Sequence, residues 1–154
     1  IDCRSPGNMT NKKKRKIRKL IQTYRKLLGL NNYRLLSRFV TAREDKEMKD
    51  AYAVVSINGR EKRIYIKLNS FEFNRMKMQA IRKLILHELL HTFFSELNDL
   101  FEELLRMSPL QEKKKERLKK RSDEVEHQKI SLLIRDILRL QRYRHKLHML
   151  EKRR

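Results

Sequence analysis

The chain is poor in cysteine, in glycine and proline, in long apolar runs and in negative charge, and each shortage narrows what it can be. A single cysteine, Cys3, closes no internal disulfide and builds no zinc ribbon, which fits a reducing compartment. No apolar run approaches the roughly 20 residues that cross a bilayer, and the start has no signal-peptide core. The expectation is therefore a soluble, cytoplasmic protein. Three glycines and two prolines leave few breaks, of which Gly29, Gly59 and Pro109 punctuate the pattern. There is no internal repeat, and no low-complexity segment beyond the lysine clusters.

Acids are outnumbered, 19 against 40 Lys and Arg, and the imbalance is uneven. Residues 1 to 41 carry 12 basic side chains and 1 acid, residues 42 to 110 carry 12 and 11, and residues 111 to 154 carry 16 and 7. A nearly neutral centre thus bears two basic flanks, with excesses of +11 and +9. Such flanks suit nucleic acid, an anionic membrane or an acidic partner, or they are solvated helix faces. The apolar residues cluster in periodic blocks, so the centre should fold despite the charge. At 154 residues the chain fits one domain with a real core.

What is present reads as alternating elements. The first residues, "IDCRSPGN", look like a tag remnant or upstream sequence, so residues 1–10 are set aside as a lead, Cys3 with them. From Lys12 to Leu28, Ile17, Leu20, Ile21, Tyr24, Leu27 and Leu28 recur at helical spacing under a basic outer face, with Gly29 as the stop. "YRLLSRFV", Tyr33 to Val40, predicts a strand, and "TAREDKEMKD" a loop. Two β-branched runs, about Ala53–Ile57 and Arg63–Leu68, flank Asn58-Gly59, which predicts a hairpin with a tight turn at positive φ. Asn69 or Ser70 caps a helix from about Phe73 to Leu97 or beyond, and Ser108-Pro109 interrupts it. A charged connector or exposed helix follows, then a last helix whose apolar stripe is Ile130, Leu133, Ile134 and Ile137.

One stretch stands apart. In "LILHELLHTFF", Leu84 to Phe94, the only polar residues are His87, Glu88, His91 and Thr92. Burying a carboxylate and two imidazoles in an apolar helix is costly unless something satisfies them. His87 and His91 are four apart, so both rings lie on one helix face within reach of a single ion, and Glu88 is turned by about 100°. This is H-E-x-x-H, in which the histidines hold a metal and the glutamate takes a proton from water. Its place inside the apolar part of a helix that follows a β-hairpin adds weight. Two core histidines bonded to backbone carbonyls are the plain alternative.

Taken together, helix, strand, hairpin, "HELLH" helix and a further helix, about Lys12 to Leu140, resemble the zincin metallopeptidases, and specifically the short gluzincin-like or minigluzincin proteins. The resemblance implies an α+β fold, with a small antiparallel or mixed β-sheet packed on a central HExxH helix between N- and C-terminal helices. The domain would be residues 11–140, with 141–154 a basic helical extension. It implies one Zn2+ per chain held by His87 and His91, with Glu88 as general base. It also implies that Ile64 to Leu68 forms the rim on which an extended peptide pairs.

The third ligand is not given by the motif. The metzincin glycine and histidine are replaced by Phe94 and Leu97, and the gluzincin Asn-Glu-x-x-Ser/Asp signature is absent. Glu96, Asp99, Glu102 and Glu103 continue the motif helix away from the ion at about 1.5 Å per residue. Among Asp123, Glu124, Glu126 and His127, stepping back four from Ile130 selects Glu126, with Glu124 and then His127 behind it. Tyr52, Tyr65, Tyr143 and His127 are candidate oxyanion donors, and His145 and His148 a remote second pair on a helix face. The reading is a zinc metallopeptidase acting on peptides or proteins, without a membrane partner. Its rival is a basic nucleic-acid-binding protein with a structural motif, and a SprT-like protease tethered to DNA unites the two. The basic stretches carry few aromatics for base stacking and no glycine-rich loop.

Overall fold

The computed structural model describes residues 9–151, and the side chains at 96 and 144–151 are outside the described set. The lead with Cys3, the side chain of Glu96 and the pair His145 and His148 therefore lie outside the described residues. The elements are helix α1 (Asn11–Leu27), strands β1 (Arg34–Val40), β2 (Ala53–Asn58) and β3 (Arg63–Asn69), and helices α2 (Ser70–Arg75), α3 (Met78–Met107) and α4 (Glu112–Glu151). The architecture is α+β with one small mixed sheet. Among the described residues no helix is long and apolar enough to cross a membrane. The chain divides into two compact units between Leu97 and Asn98, within α3.

In the first unit α1 begins where Thr10 accepts a hydrogen bond from the Lys13 amide, and it ends at Gly29, whose φ of 69° supplies the left-handed turn that closes a helix. Its inner face, Ile17, Ile21 and Tyr24, is fully buried. Burial raises the Tyr24 phenol above its usual pKa, partly offset by the Arg82 guanidinium. Lys13 turns inward, donating to the carbonyls of Asn74 (2.7 Å) and Met76 (3.0 Å), and so caps the C-terminal end of α2.

The sheet order is β1-β3-β2, with β1 parallel and β2 antiparallel to β3. The register pairs Leu35, Ser37 and Phe39 with Ile64, Ile66 and Leu68, and these with Ile57, Val55 and Ala53. Directly opposed residues share a face, so one face is largely apolar while Arg38, Lys67 and Val54 line the other. Lys14 and Arg18 lie over the Phe39 ring, 5.9 and 5.6 Å from its centre, which sets α1 against the β1 side of the apolar face. Ile64, Ile66, Leu68, Phe73, Ile81, Ile85, Leu86 and Leu89 complete this unit's buried core.

Three expectations change. Asn58 stays in its strand opposite Arg63, and the hairpin closes through the four residues 59–62. Its side chain accepts from the Glu61 amide (3.0 Å), and the positive φ falls on Lys62 (49°), not on Asn58 or Gly59. Asn69 caps the separate helix α2 and not the motif helix, which starts afresh at Met78. And β3, the expected peptide-pairing rim, is the central strand: Ile64 to Leu68 pairs with β1 on one side and β2 on the other, so no main-chain edge is left for a peptide.

The second unit is the rest of α3 and α4, joined through Ser108 and Pro109. Proline has no amide hydrogen to continue a helical ladder, and the Ser108 hydroxyl accepts from the Leu110 amide (3.3 Å) instead. Lys119 pairs with Glu102 at 2.5 Å, an exposed bridge of small energetic weight. The buried stripe of α4 is Glu126, Ile130 and Ile134, while Leu133, expected on it, is 42% exposed. A step of four residues stays within about 40° of one helix face, whereas three overshoots the other way, so the outer limit falls at Leu133.

Candidate metal centre

The motif occupies the third and fourth turns of α3, where Ile85, Leu86, Leu89 and Leu90 are buried. An apolar stretch on nearly every side gives a rigid, well-packed helix and holds the two imidazoles where helical geometry puts them. His87, Glu88 and His91 are each half-buried. Thr92, beside them, is buried with its hydroxyl unbonded among the described residues.

The rings of His87 and His91 meet edge to face, centres 4.8 Å apart and planes at 83°. Their Nε2 atoms are 3.1 Å apart. At that distance both nitrogens cannot carry protons, since the two hydrogens would collide, so at least one Nε2 is an acceptor. A neutral pair can share one N–H···N bond. An ion can instead accept both lone pairs: at a zinc–nitrogen distance of about 2.05 Å, nitrogens 3.1 Å apart subtend about 98°, within the scatter of a tetrahedral site. The two motif histidines thus fit a zinc ion in donor type, spacing and burial.

Glu88 follows His87 directly, so its carboxylate leaves the helix about one quarter-turn around from that ring. The candidates further along the chain lie in the second unit. Glu126 is buried and accepts a hydrogen bond from the Asn98 side-chain amide at 2.5 Å. Glu124 and Asp123 are exposed. His127 is exposed, and its Nδ1 lies 2.7 Å from the Asp123 carbonyl. A carbonyl only accepts, so Nδ1 carries the proton in this contact. Asp99, Glu102 and Glu103 are exposed along α3.

Of the tyrosines considered as oxyanion donors, Tyr65 is exposed on the face of β3 opposite Ile64 and Ile66, while Tyr52 and Tyr143 are more than half exposed. Sequence reasoning did not single out Asn98, the partner of Glu126. Its signal was present: a polar residue seven after His91, two helical turns on, in a helix rich in leucine.

Searches of protein-family models, curated proteins and solved structures found no match to this chain.

Proposed function

We propose that the protein is a zinc-dependent peptidase of the cytoplasm, similar in its site to the short gluzincins. The observation that carries this reading is the 3.1 Å separation of the His87 and His91 Nε2 atoms in an apolar helix, with Glu88 between them in sequence. Bound there, zinc would polarise the scissile carbonyl and acidify water. His87 and His91 would hold the ion by their Nε2 atoms, and the buried Ile85, Leu86, Leu89 and Leu90 fix the helix that carries the rings. Glu88 takes the proton of the attacking water as it adds to the carbonyl carbon, then passes it to the leaving amine, whose bond to that carbon breaks.

The third protein ligand is assigned to Glu126. Helical register carries this assignment: Glu126 stands one turn before Ile130 on the buried stripe of α4, where the Asn98 amide donates to its carboxylate. His127 is the rival, its Nδ1 bonded to the Asp123 carbonyl in the kind of contact that orients a ligating imidazole. A peptide substrate would pair with β2, the hairpin strand that has only β3 as a partner among the described residues.

Glu88→Gln tests the reading. The amide keeps the size and polarity of the side chain but cannot accept the proton. We expect zinc to be retained and peptide hydrolysis, followed with casein or an internal cleavage site, to fall by about 10²- to 10⁴-fold. Undiminished hydrolysis by the variant would remove Glu88 from the chemistry.

A further inference from the structure

The outer face of α1 is the feature that neither the fold nor the proposed peptidase explains. The helix contains nine basic residues and no acid. Four of them already have structural work, Arg25 through its bonds to the Leu30 (3.3 Å) and Asn31 (3.1 Å) carbonyls. Lys13 caps α2, and Lys14 and Arg18 lie over Phe39. Lys12, Arg15, Lys16 and Lys19 are exposed, line one shallow depression with Asn11, and make no ion pair among the described residues. At 100° per residue these four fall within an arc of about 100°, so they form one stripe. Lys12 also stands in the first turn, at the positive end of the helix dipole, where a cation is unfavourable and an acid is the stabilising choice. Folding alone therefore does not select this stripe.

We infer that this stripe is a docking surface for the phosphate backbone of duplex nucleic acid. The span from Lys12 to Lys19 is about 10.5 Å along the helix. A duplex carries a negative charge for about every 1.7 Å of its axis, so four long cationic side chains over that span meet a dense row of acceptors. Three other anionic partners fit less well. Insertion of an amphipathic helix into a membrane needs an apolar face, and that of α1, Ile17, Ile21 and Tyr24, is sealed in the core. A single strand calls for aromatic platforms, and the stripe contains none. An acidic protein would need apolar anchors at the centre of the contact, and Lys12, Arg15, Lys16 and Lys19 surround none. Phosphate contacts position a protein without reading bases, so binding is independent of sequence.

The experiment is fluorescence anisotropy of the full chain on a 20-base-pair mixed-sequence DNA duplex at several salt concentrations. Four phosphate contacts correspond to a slope of about −3.6 in log affinity against log salt, or about 150-fold between 50 and 200 mM. The variant K12Q/R15Q/K16Q/K19Q should lower affinity at low salt at least tenfold and make the slope shallower by about 3 to 4. A charge-matched variant of exposed α4 residues, K113Q/K114Q/K120Q/R121Q, should change affinity less than about threefold. Circular dichroism reports whether each variant is folded. Equal losses in the two variants would overturn the assignment by reducing binding to net charge, and no loss in the α1 variant would overturn it directly. So would tighter binding, per unit charge, to phosphatidylserine vesicles, to a 20-nucleotide single strand or to polyglutamate.

Discussion

The Nε2 atoms of His87 and His91 approach to 3.1 Å across one helical turn, close enough for both to meet a single cation and too close for both to keep protons. The spacing suits one shared cation or one shared proton and disfavours two donors.

The first prediction follows from that contact. The wild-type protein should retain one zinc per chain after dialysis, measured by elemental analysis, and His91→Ala should not. Because metal binds the folded form, free zinc at a hundred times its dissociation constant adds about 2.7 kcal/mol of stability. A chelator should therefore lower the wild-type unfolding midpoint and leave that of His91→Ala unchanged. Wild-type protein without metal, or equal chelator sensitivity in the two, would remove the metal from the proposal.

Glu126 is buried and Glu124 is exposed, although they are two residues apart on α4. Glu126→Ala should weaken zinc binding at least tenfold in a competition titration, a loss of about 1.4 kcal/mol, while Glu124→Ala stays within twofold. His127→Ala completes the set. Should it be the damaging change while Glu126→Ala is not, the third ligand belongs to His127 and the assignment above is wrong.

Asn69 does four things from one buried side chain. Its oxygen accepts from the amides of Phe71 (3.2 Å) and Glu72 (3.3 Å), and its nitrogen donates to the carbonyls of Met48 (2.8 Å) and Ala51 (3.1 Å). It thereby caps α2 and ties the loop before β2 to the end of β3. Asn69→Ala removes a cap and strands two carbonyls, and should cost about 2–4 kcal/mol in urea unfolding. Asn69→Asp keeps the cap but sets a carboxylate against the two carbonyls, so it should not restore stability. A variant within 0.5 kcal/mol of wild type would show that water replaces all four bonds at little cost.

Lys67 bridges Asp45 (2.9 Å) and Glu47 (2.7 Å) on the polar face of the sheet. Its hydrogen bond holds the Asp45 carboxyl below the usual range, and the two carboxylates raise the Lys67 amine. For Asp45 the contribution to stability is present above the unfolded-state pKa and is lost as pH falls through the lower folded value. For Lys67 it is present below the unfolded-state pKa and is lost as pH rises through the higher folded value. Lys67→Met should therefore flatten the stability profile at both the acid and the alkaline end, with little change of shape between. Glu47 is exposed and Asp45 and Lys67 are half-buried at the surface, so high salt should shrink the difference. A variant whose acid limb matched wild type at low salt would exclude the bridge as its source.

Much of this protein is written in local periodicity. The stripe Ile17, Ile21 and Tyr24 requires an amphipathic α1, and the four-residue step from His87 to His91 requires both rings on one face, because 3.6 residues per turn is a property of the backbone itself. The alternating runs around residue 58 called for two antiparallel strands for the same reason, and the structure has them. What the tertiary structure decided is non-local. Whether β1 joins the sheet beside β2 or beside β3 depends on which side of the hairpin its apolar face can be covered, and the result, β1 parallel to β3, closes the strand that sequence reasoning had left open for a peptide. Asn69 could cap any helix beginning after it, and the bonds it makes to Met48 and Ala51, about twenty residues earlier, became visible only once the loop was folded against it. The same holds for Glu126. Helical register placed it on the face of Ile130, but the partner that makes a buried carboxylate tolerable there, Asn98, lies 28 residues away, and no periodicity connects the two.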